Sequence, residues 1–253
     1  MPAPENLFKK RLLAGETLIG LWCGLGTSVA ELAAQTGFDW IVLDGEHGPN
    51  RLRDVLDQLR AVGTTGAQPV VRVRDDNRAE IKQMLDIGAQ TILVPMIDTA
   101  EQAREAVRSV LYPPHGVRGV GAALARASAY GAIPDYLTTA NDQICLLLQV
   151  ENRAGIAALD DILAVERVDG IFIGPADLST DMGHVGNPGH PEVQAVINEA
   201  IDKIRAAGKV PGILTSDATL NKGYAERGAG FVAVGSDVGA LRGALTALRK
   251  TYD

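Results

Sequence analysis

Cysteines and long apolar runs are scarce in this sequence of 253 residues, and each scarcity excludes a class of protein. Its two cysteines, Cys23 and Cys145, have no C-x-x-C partner and lie in apolar runs, so we expect buried free thiols rather than a disulfide framework or a zinc knuckle. No apolar run approaches the roughly 20 residues that span a bilayer. The first fifteen residues contain no signal-peptide core. We therefore expect a cytoplasmic protein without a membrane partner.

Basic residues are scarce relative to acidic ones, and aromatic residues are scarce altogether. The chain has 24 Lys and Arg against 31 Asp and Glu, a formal net charge of −7. Such a charge repels a polyanion, so nucleic acid is not expected as a partner. Aromatics make up 4% of the residues and apolar residues 46%. A core filled mainly by Ala, Val, Ile and Leu is therefore predicted, which suits a sheet covered by helices.

The sequence alternates regularly between two patterns. Short β-rich apolar runs occur eight times, and most are continuous, as in parallel strands that are buried on both faces. A helical pattern follows each run. The predicted strands are 18–23, 40–43, 69–73, 91–96, 144–150, 170–174, 210–214 and 231–235, and the predicted helices are 29–37, 52–62, 78–88, 100–110, 154–165, 191–208, 217–228 and 238–249.

Eight strand and helix pairs favour one closed (β/α)8 TIM barrel over residues 1–253, with an N-terminal helix and a C-terminal helix. An open doubly wound sheet is the alternative, but Cys23-Gly24-Leu25-Gly26 lacks the third glycine of a dinucleotide-binding turn. Residues 112–142 interrupt the alternation before the fifth strand. An insertion of this length predicts a functional loop or a subunit contact.

Polar residues at the C-terminal ends of the strands are the candidates for chemistry, because active sites of such barrels lie there. They are Asp44, Glu46 and His47 after strand two, Arg72 on strand three, Gln149 and Glu151 on strand five, and Gly174, Pro175, Ala176 and Asp177 after strand six.

Glu151 and Asp177 are the candidate metal ligands. The period of two in a strand places Glu151 on the same face as Leu147, and a bare carboxylate inside the barrel is costly unless it is paired or metal-bound. Two carboxylates without a nearby cysteine suit Mg²⁺ or Mn²⁺. The alternative is that Asp177 caps the next helix and that Glu151 pairs with Arg153 or Arg72.

Arg72 and His47 are the candidates for catalysis. Arg72 lies where a central strand should be apolar, so its guanidinium needs an anion, either a structural carboxylate or a substrate oxygen. His47 is the one histidine at a predicted strand end, and histidine suits general-base work near neutral pH. A solvated loop histidine is the alternative. The turn at 174–179 presents backbone N–H groups that could hold a small carboxylate, or it is an ordinary strand-to-helix turn.

Six ordered motifs among these residues resemble the HpcH/HpaI class II pyruvate aldolases, of the 4-hydroxy-2-oxoheptanedioate aldolase type. The resemblance runs from the first strand to the last helix. The motifs are Leu43-Asp44-Gly45-Glu46-His47, Val70-Val71-Arg72, Leu93-Val94-Pro95-Met96, Tyr112-Pro113-Pro114 followed by Gly116 and Arg118-Gly119, Gln149-Val150-Glu151, and residues 172–179.

The resemblance implies reversible retro-aldol cleavage of a 4-hydroxy-2-oxo acid to pyruvate and an aldehyde. Glu151 and Asp177 would bind a divalent metal ion, Mg²⁺, Mn²⁺ or Co²⁺, that chelates the carboxylate and keto oxygens of pyruvate. Arg72 would stabilise the enolate oxygen, and His47 would act as the base. The implied substrate-binding residues are Trp22, Asp44, Gln149, Gly174, Pro175, Ala176, Asp177 and Leu214. No lysine ends a strand in these motifs, which argues against a Schiff-base aldolase.

The resemblance also implies an aspartate partner for the catalytic histidine, and the matching residue is Asp86. Asp86 falls near the end of the third predicted helix, away from His47. Either a neighbouring subunit supplies it, the helix begins later, or the pair does not form.

A homo-oligomer is a further implication, a hexamer with an exchanged C-terminal helix. Two other activities stay open. The same enolate chemistry would decarboxylate an oxo acid such as oxaloacetate. A non-catalytic barrel that binds oxo acids is the alternative from another class, and it predicts loss of the metal ligands or of Arg72, all of which are present.

Overall fold

A computed structural model describes residues 1–253. Eight parallel strands form one closed barrel in the order β1 to β8, which confirms the predicted (β/α)8 fold. No helix has the length and apolarity that a membrane crossing requires. The strands are β1 (Leu18–Cys23), β2 (Trp40–Asp44), β3 (Gln68–Arg72), β4 (Thr91–Val94), β5 (Cys145–Val150), β6 (Gly170–Ile173), β7 (Val210–Leu214) and β8 (Phe231–Ser236).

Twelve α-helices surround or cap the barrel, where the sequence predicted eight plus an N-terminal one. They are α1 (Leu7–Leu13), α2 (Thr27–Ala34), α3 (Leu52–Val62), α4 (Arg78–Asp86), α5 (Ala100–Val110), α6 (Tyr136–Thr139), α7 (Arg153–Ala157), α8 (Leu159–Leu163), α9 (Pro175–Asp181), α10 (Pro191–Ala206), α11 (Ala218–Arg227) and α12 (Asp237–Lys250). Three 3-10 turns, Ala122–Leu124, Arg126–Ser128 and Ala140–Gln143, lie with α6 in the insertion.

Several boundaries differ from the prediction by one to three residues. The predicted helix 154–165 is divided into α7 and α8 at Ala158. The turn after β6 continues into α9, because Pro175 occupies the first helical position, where its fixed φ suits a helix. β4 ends at Val94, before the predicted end at residue 96, because Met96 has a φ of 55° and leaves the extended region.

The core has two layers of different composition. Between the strands and the helices it consists almost entirely of Ala, Val, Ile and Leu, as predicted. Inside the barrel, however, lie both tryptophans and three of the four phenylalanines. The prediction of a mainly aliphatic core therefore holds most closely for the outer layer, whereas five of the 13 buried residues in the interior cluster are aromatic.

The interior aromatics form a continuous column along the barrel axis. Phe8, from α1, contacts Trp40 edge to face with ring centroids 5.9 Å apart. Trp40 contacts Phe231 at 6.0 Å, Phe231 contacts Phe172 at 6.0 Å, and Phe172 contacts Trp22 at 5.3 Å. These separations are typical of favourable aromatic pairs. The column begins at the N-terminal end of the strands, where α1 closes the barrel, and ends at the opposite rim.

A glycine on β1 makes room for this column. A Cβ on Gly20 would lie 2.2 Å from the Trp40 ring, so any larger residue would displace the indole. Trp40 also donates from Nε1 to the carbonyl of Leu18 at 3.0 Å, which fixes its orientation. The small residue on one strand and the large ring on its neighbour thus fill the interior together.

The inward side of β5 changes from apolar to polar toward its C-terminal end. On β5, Cys145 and Leu147 pack in the interior, and Gln149 and Glu151 follow them at the rim. The expectation that Glu151 shares the face of Leu147 and points into the barrel is therefore confirmed by the packing of Leu147.

Candidate active site

Arg72 is the buried cation of the rim, and two carboxylates hold it. Its Nε and Nη2 donate to Asp44 at 2.9 and 2.7 Å, a bidentate pair. Its Nη1 lies 2.5 Å from Glu46 Oε2. The side chain is only 7% exposed, and its Cζ lies 4.7 Å from the centroid of the Trp22 ring. The sequence left open whether a structural carboxylate or a substrate oxygen neutralises Arg72. The structure provides two carboxylates, although the guanidinium also faces the rim cavity.

Asp44 ties the turn after β2 to this cation. Besides the two bonds from Arg72, its carboxylate accepts from Trp22 Nε1 at 3.2 Å and from the backbone N–H groups of Glu46 and His47 at 3.0 and 3.3 Å. Burial alone would raise the pKa of Asp44, but the hydrogen bonds and charge of Arg72 hold it below its usual value. Asp44 is therefore an ionised anchor rather than a proton carrier.

Glu151 is a buried carboxylate without a cation of its own. Oε1 accepts from the backbone N–H of Met96 at 3.0 Å, and Oε2 accepts from the side-chain amide of Gln149. Burial raises the pKa of Glu151 to about 7, and the charges of Asp177 and Glu46 add to this effect, while the two hydrogen bonds oppose it. An acid in this environment gains most from a nearby positive charge.

Neither structural alternative for the two candidate ligands is realised. Arg153 pairs with Asp181 at 3.1 Å instead of with Glu151, and Arg72 is held by Asp44 and Glu46. No side chain caps the N-terminus of α9, where Asp177 lies exposed in the first turn. Both carboxylates are thus free of a neutralising partner.

The packing around Glu151 requires a glycine at position 174. A Cβ on Gly174 would lie 2.6 Å from Glu151 Oε2 and 2.7 Å from its Cβ. Beside this contact, Gln149 Oε1 is buried and has no hydrogen-bond partner. Two carboxylates and one amide oxygen, with no cysteine beside them, are suited to a hard divalent ion. Glu151 and Asp177 could hold such an ion.

The rim encloses a cavity of about 330 Å³, and nine predicted residues line it. They are Trp22, His47, Arg72, Gln149, Gly174, Pro175, Ala176, Asp177 and Leu214. Asp44 and Glu151 lie behind this lining, each less than 5% exposed. A larger cleft of about 710 Å³ lies at the opposite end of the barrel, but its only charged residues, Arg11 and Asp39, pair with each other at 2.9 Å. The chemistry is therefore concentrated in the smaller cavity.

The structure does not bring Asp86 to His47 within one chain. The side chain of His47 is 72% exposed, and its nearest carboxylate is Glu46, with 3.9 Å between Nε2 and Oε1. Asp86 ends α4 and pairs with the fully buried Arg118 at 2.7 Å. Arg118 in turn stacks on Tyr112, in the insertion. Asp86 therefore anchors the insertion in this chain.

Sequence reasoning missed four residues of the cavity, namely Phe172, Pro188, Thr215 and Ser216. Thr215 and Ser216 directly follow β7, so the strand-end rule could have found them. Phe172 is a core residue whose ring reaches the cavity floor. Pro188 comes from the loop between α9 and α10, and no local pattern places it there.

Comparisons with known proteins show the family of the chain. The sequence profile of the family described as HpcH/HpaI aldolase/citrate lyase matches residues 18–244. A hydroxypyruvate/pyruvate aldolase of Agrobacterium fabrum is 57% identical over all of this chain and 95% of its own. A 4-hydroxy-2-oxo-heptane-1,7-dioate aldolase of Shigella sonnei is 58% identical over 98% of this chain and 95% of its own.

A solved structure is similar as well. The crystal structure of an HpcH/HpaI aldolase/citrate lyase family protein from Burkholderia cenocepacia superposes with a TM-score of 0.93 at 39% identity, covering 98% of this chain and all of that one. The motif resemblance found in the sequence, the barrel and the rim thus point to one assignment. The chain belongs to the HpcH/HpaI aldolase/citrate lyase family.

Proposed function

We propose that the protein is a divalent-metal-dependent pyruvate aldolase. It would cleave 4-hydroxy-2-oxo acids, such as 4-hydroxy-2-oxoheptanedioate, reversibly into pyruvate and an aldehyde. The observation that carries the proposal is that an uncompensated buried carboxylate, Glu151, and a fixed cation, Arg72, both lie at one cavity without contacting each other. The names of relatives at 57 and 58% identity support the reaction.

Glu151 and Asp177 would hold the metal ion, which we expect to be Mg²⁺, Mn²⁺ or Co²⁺. When bound, the ion would act as a Lewis acid toward the carboxylate and keto oxygens of pyruvate. The oxygen donor set and the unpartnered oxygen of Gln149 support this fit. Ala176 and its neighbours Gly174 and Pro175 would position the pyruvate carboxylate.

Arg72 would stabilise the charge that develops on the keto oxygen. Its bidentate bond to Asp44 and its contact with Trp22 fix the guanidinium before substrate arrives, so no reorganisation is needed during the reaction. The bond between C3 and C4 would break as a base removes the 4-hydroxyl proton. The electron pair of that bond passes to C3 and the keto oxygen, the aldehyde leaves, and protonation of C3 gives pyruvate.

His47 is the base that we propose for the 4-hydroxyl proton. Its exposure at the mouth of the cavity leaves it accessible to the substrate. Within the chain, Glu46 is the carboxylate nearest to it. Asp86 would serve this histidine only from a neighbouring subunit. The aldehyde end of the substrate would lie between His47 and Leu214.

We also propose a homo-oligomer, a hexamer that uses the C-terminal helix. Apolar side chains of this region recur at spacings of three and four residues and are 47–80% exposed, namely Val238, Leu241, Leu245, Leu248 and Tyr252. Such a stripe is typical of a helix that packs on a partner. Its base is fixed to the barrel, since Asp237 accepts from the N–H groups of Gly24 and Leu25 at 2.9 and 2.8 Å.

A coupled assay tests the aldolase proposal. Pyruvate released from 4-hydroxy-2-oxo acids is measured with lactate dehydrogenase, with and without a chelator. We expect activity that chelation abolishes and that added Mg²⁺ or Mn²⁺ restores. Glu151→Gln should remove it, whereas Glu31→Gln, on the exposed surface of α2, should not. Full activity of the chelated enzyme would contradict the metal mechanism.

A further inference from the structure

Two histidines and a glutamate lie together beside the loop between α9 and α10. The imidazole rings of His184 and His190 stack with centroids 3.6 Å apart and 15° between their planes. His184 Nε2 lies 3.0 Å from Glu192 Oε2. One potential ligand atom from each residue lies within 4.8 Å of those of the other two. We propose that these three residues form a second metal site, selective for transition ions such as Zn²⁺, Ni²⁺ or Cu²⁺.

The hydrogen bonds of the cluster show which atoms are available. Nδ1 of His190 accepts from the N–H of Glu192 at 3.3 Å, so its lone pair is directed toward the start of α10, where Glu192 lies. Because an ionised carboxylate only accepts, Nε2 of His184 donates its proton to the hydrogen bond with Glu192 Oε2. A metal ion would take the place of that proton and of the long bond at His190, as metal binding generally displaces protons from its ligands.

Two imidazoles and one carboxylate are a common three-residue set for Zn²⁺, with water as the fourth ligand. Bond lengths of about 2.0–2.1 Å place the donor atoms of a tetrahedral site about 3.3 Å apart. His184 Nε2 and Glu192 Oε2, at 3.0 Å, already have nearly this separation. The cluster can adjust around an ion, because the side chain of Glu192 is 72% exposed and unrestrained beyond its contact with His184.

This donor set differs in chemistry from the proposed site at Glu151 and Asp177. Imidazole nitrogen favours Zn²⁺, Ni²⁺ and Cu²⁺, whereas carboxylate and carbonyl oxygens suit Mg²⁺. An excess of Mg²⁺ should therefore occupy the rim site and leave the histidine cluster free. The second site does not depend on the proposed aldolase activity.

A metal ion bound at this cluster would affect the loop between α9 and α10. His184 follows α9, and its N–H donates to the carbonyl of Ser179 at 2.7 Å, while His190 precedes α10. An ion would thus connect the two ends of the intervening loop. Pro188 belongs to that loop and lines the substrate cavity, and its carbonyl accepts from Gln194 at 2.8 Å. The site would hold one wall of the cavity in place.

Calorimetric titration of the full-length protein with Zn²⁺, in excess Mg²⁺, tests the proposal. We expect the wild type to bind one equivalent of Zn²⁺ strongly. His184→Ala and His190→Asn should each lower the affinity by at least about 100-fold, because loss of a residue that only supports a metal ligand already lowers metal affinity 10- to 100-fold. Asn keeps an acceptor that can cap α10, so this variant removes the imidazole without removing the helix cap. His115→Ala, in the exposed start of the insertion, is the matched control and should bind as the wild type does.

Two further results separate this site from the rim. Cu²⁺ bound to the wild type should show nitrogen hyperfine coupling in its electron paramagnetic resonance spectrum, and the double variant His184→Ala with His190→Asn should lose it. Glu151→Gln should keep the Zn²⁺ equivalent even if it loses aldolase activity. The proposal is overturned if His184→Ala and His190→Asn, folded as judged by their thermal unfolding, bind Zn²⁺ as the wild type does, or if the equivalent disappears only with Glu151.

Discussion

The two ends of the barrel are built from different chemistry. At the N-terminal end, α1 inserts Phe8 against Trp40 and Phe231, and the interior there is apolar. At the rim, the same strands present Asp44, Arg72 and other polar side chains around a cavity. The two ends are connected by a single aromatic column, and its last ring, Trp22, contacts both the core and the guanidinium.

Because of this difference, the residues that chiefly stabilise the fold and those proposed for activity lie at opposite ends of the barrel axis. Burial of rings at the closed end stabilises the fold, while the rim retains charges whose desolvation is only partly offset. Glu151 is the clearest case, since its raised pKa reflects a carboxylate that lacks a cation. Changes at the closed end should therefore act on stability alone, whereas changes at the rim should also act on activity.

The largest effect is expected from Arg72→Ala at the rim. It removes the proposed stabilisation of the enolate oxygen, and loss of one such group costs about 10²- to 10³-fold in turnover. It also leaves Asp44 and Glu46 without their buried cation, which should destabilise the fold by about 3–5 kcal/mol. Steady-state kinetics and denaturant unfolding measure the two effects. Arg74→Ala is the control, because Arg74 is 64% exposed and outside the cavity; equal turnover in both variants would show that Arg72 has no catalytic role.

Phe8→Ala should produce the converse result at the closed end. Phe8 is 1% exposed and contacts two rings of the column, so its truncation should cost about 3–5 kcal/mol of unfolding free energy. Turnover per folded molecule should stay unchanged. Phe38→Ala, at a half-buried phenylalanine outside the column, should cost less. A fall in the turnover of folded Phe8→Ala would mean that the two ends are coupled.

A smaller effect is expected from pH on metal affinity. With a pKa of about 7 in the metal-free protein, Glu151 is protonated at lower pH, and the ion must displace that proton. Apparent affinity should therefore fall about tenfold per pH unit below 7 and level off above it. Calorimetry with Mn²⁺ across this range measures the slope, and an affinity that does not change between pH 5 and 7 would show that Glu151 is not a ligand.

The raised pKa of Glu151 also determines how the stability of the metal-free protein changes with pH. The pKa of Glu151 in the folded protein lies above its ordinary value of 4.5. The group therefore contributes fully to the unfolding free energy of the metal-free protein only below pH 4.5. The contribution is lost as the pH rises through about 7. Added metal should restore stability there, which thermal unfolding at pH 8 with and without Mn²⁺ would show.

Most of the rim could be predicted from the sequence because strand periodicity is local. Alternation from Leu147 places Glu151, and the strand-end rule finds Arg72 and Asp177. Contacts between distant segments have no such local signal. The ion pair of Asp86 with Arg118 joins residues 32 positions apart, and Pro188 reaches the cavity through a loop whose course depends on tertiary packing. The aromatic interior was missed for a related reason, since composition does not show that few rings collect in one place.

Exchange of the methyl protons of pyruvate with D2O tests the central claim most directly, because it requires the enolate but no knowledge of the aldehyde. We predict that the wild-type protein with Mg²⁺ or Mn²⁺ catalyses this exchange, as followed by proton NMR. Chelation and Glu151→Gln should each abolish it, while Glu31→Gln should retain it. Exchange that continues at the wild-type rate in the chelated protein or in Glu151→Gln would contradict the assignment of the rim as a metal site for pyruvate.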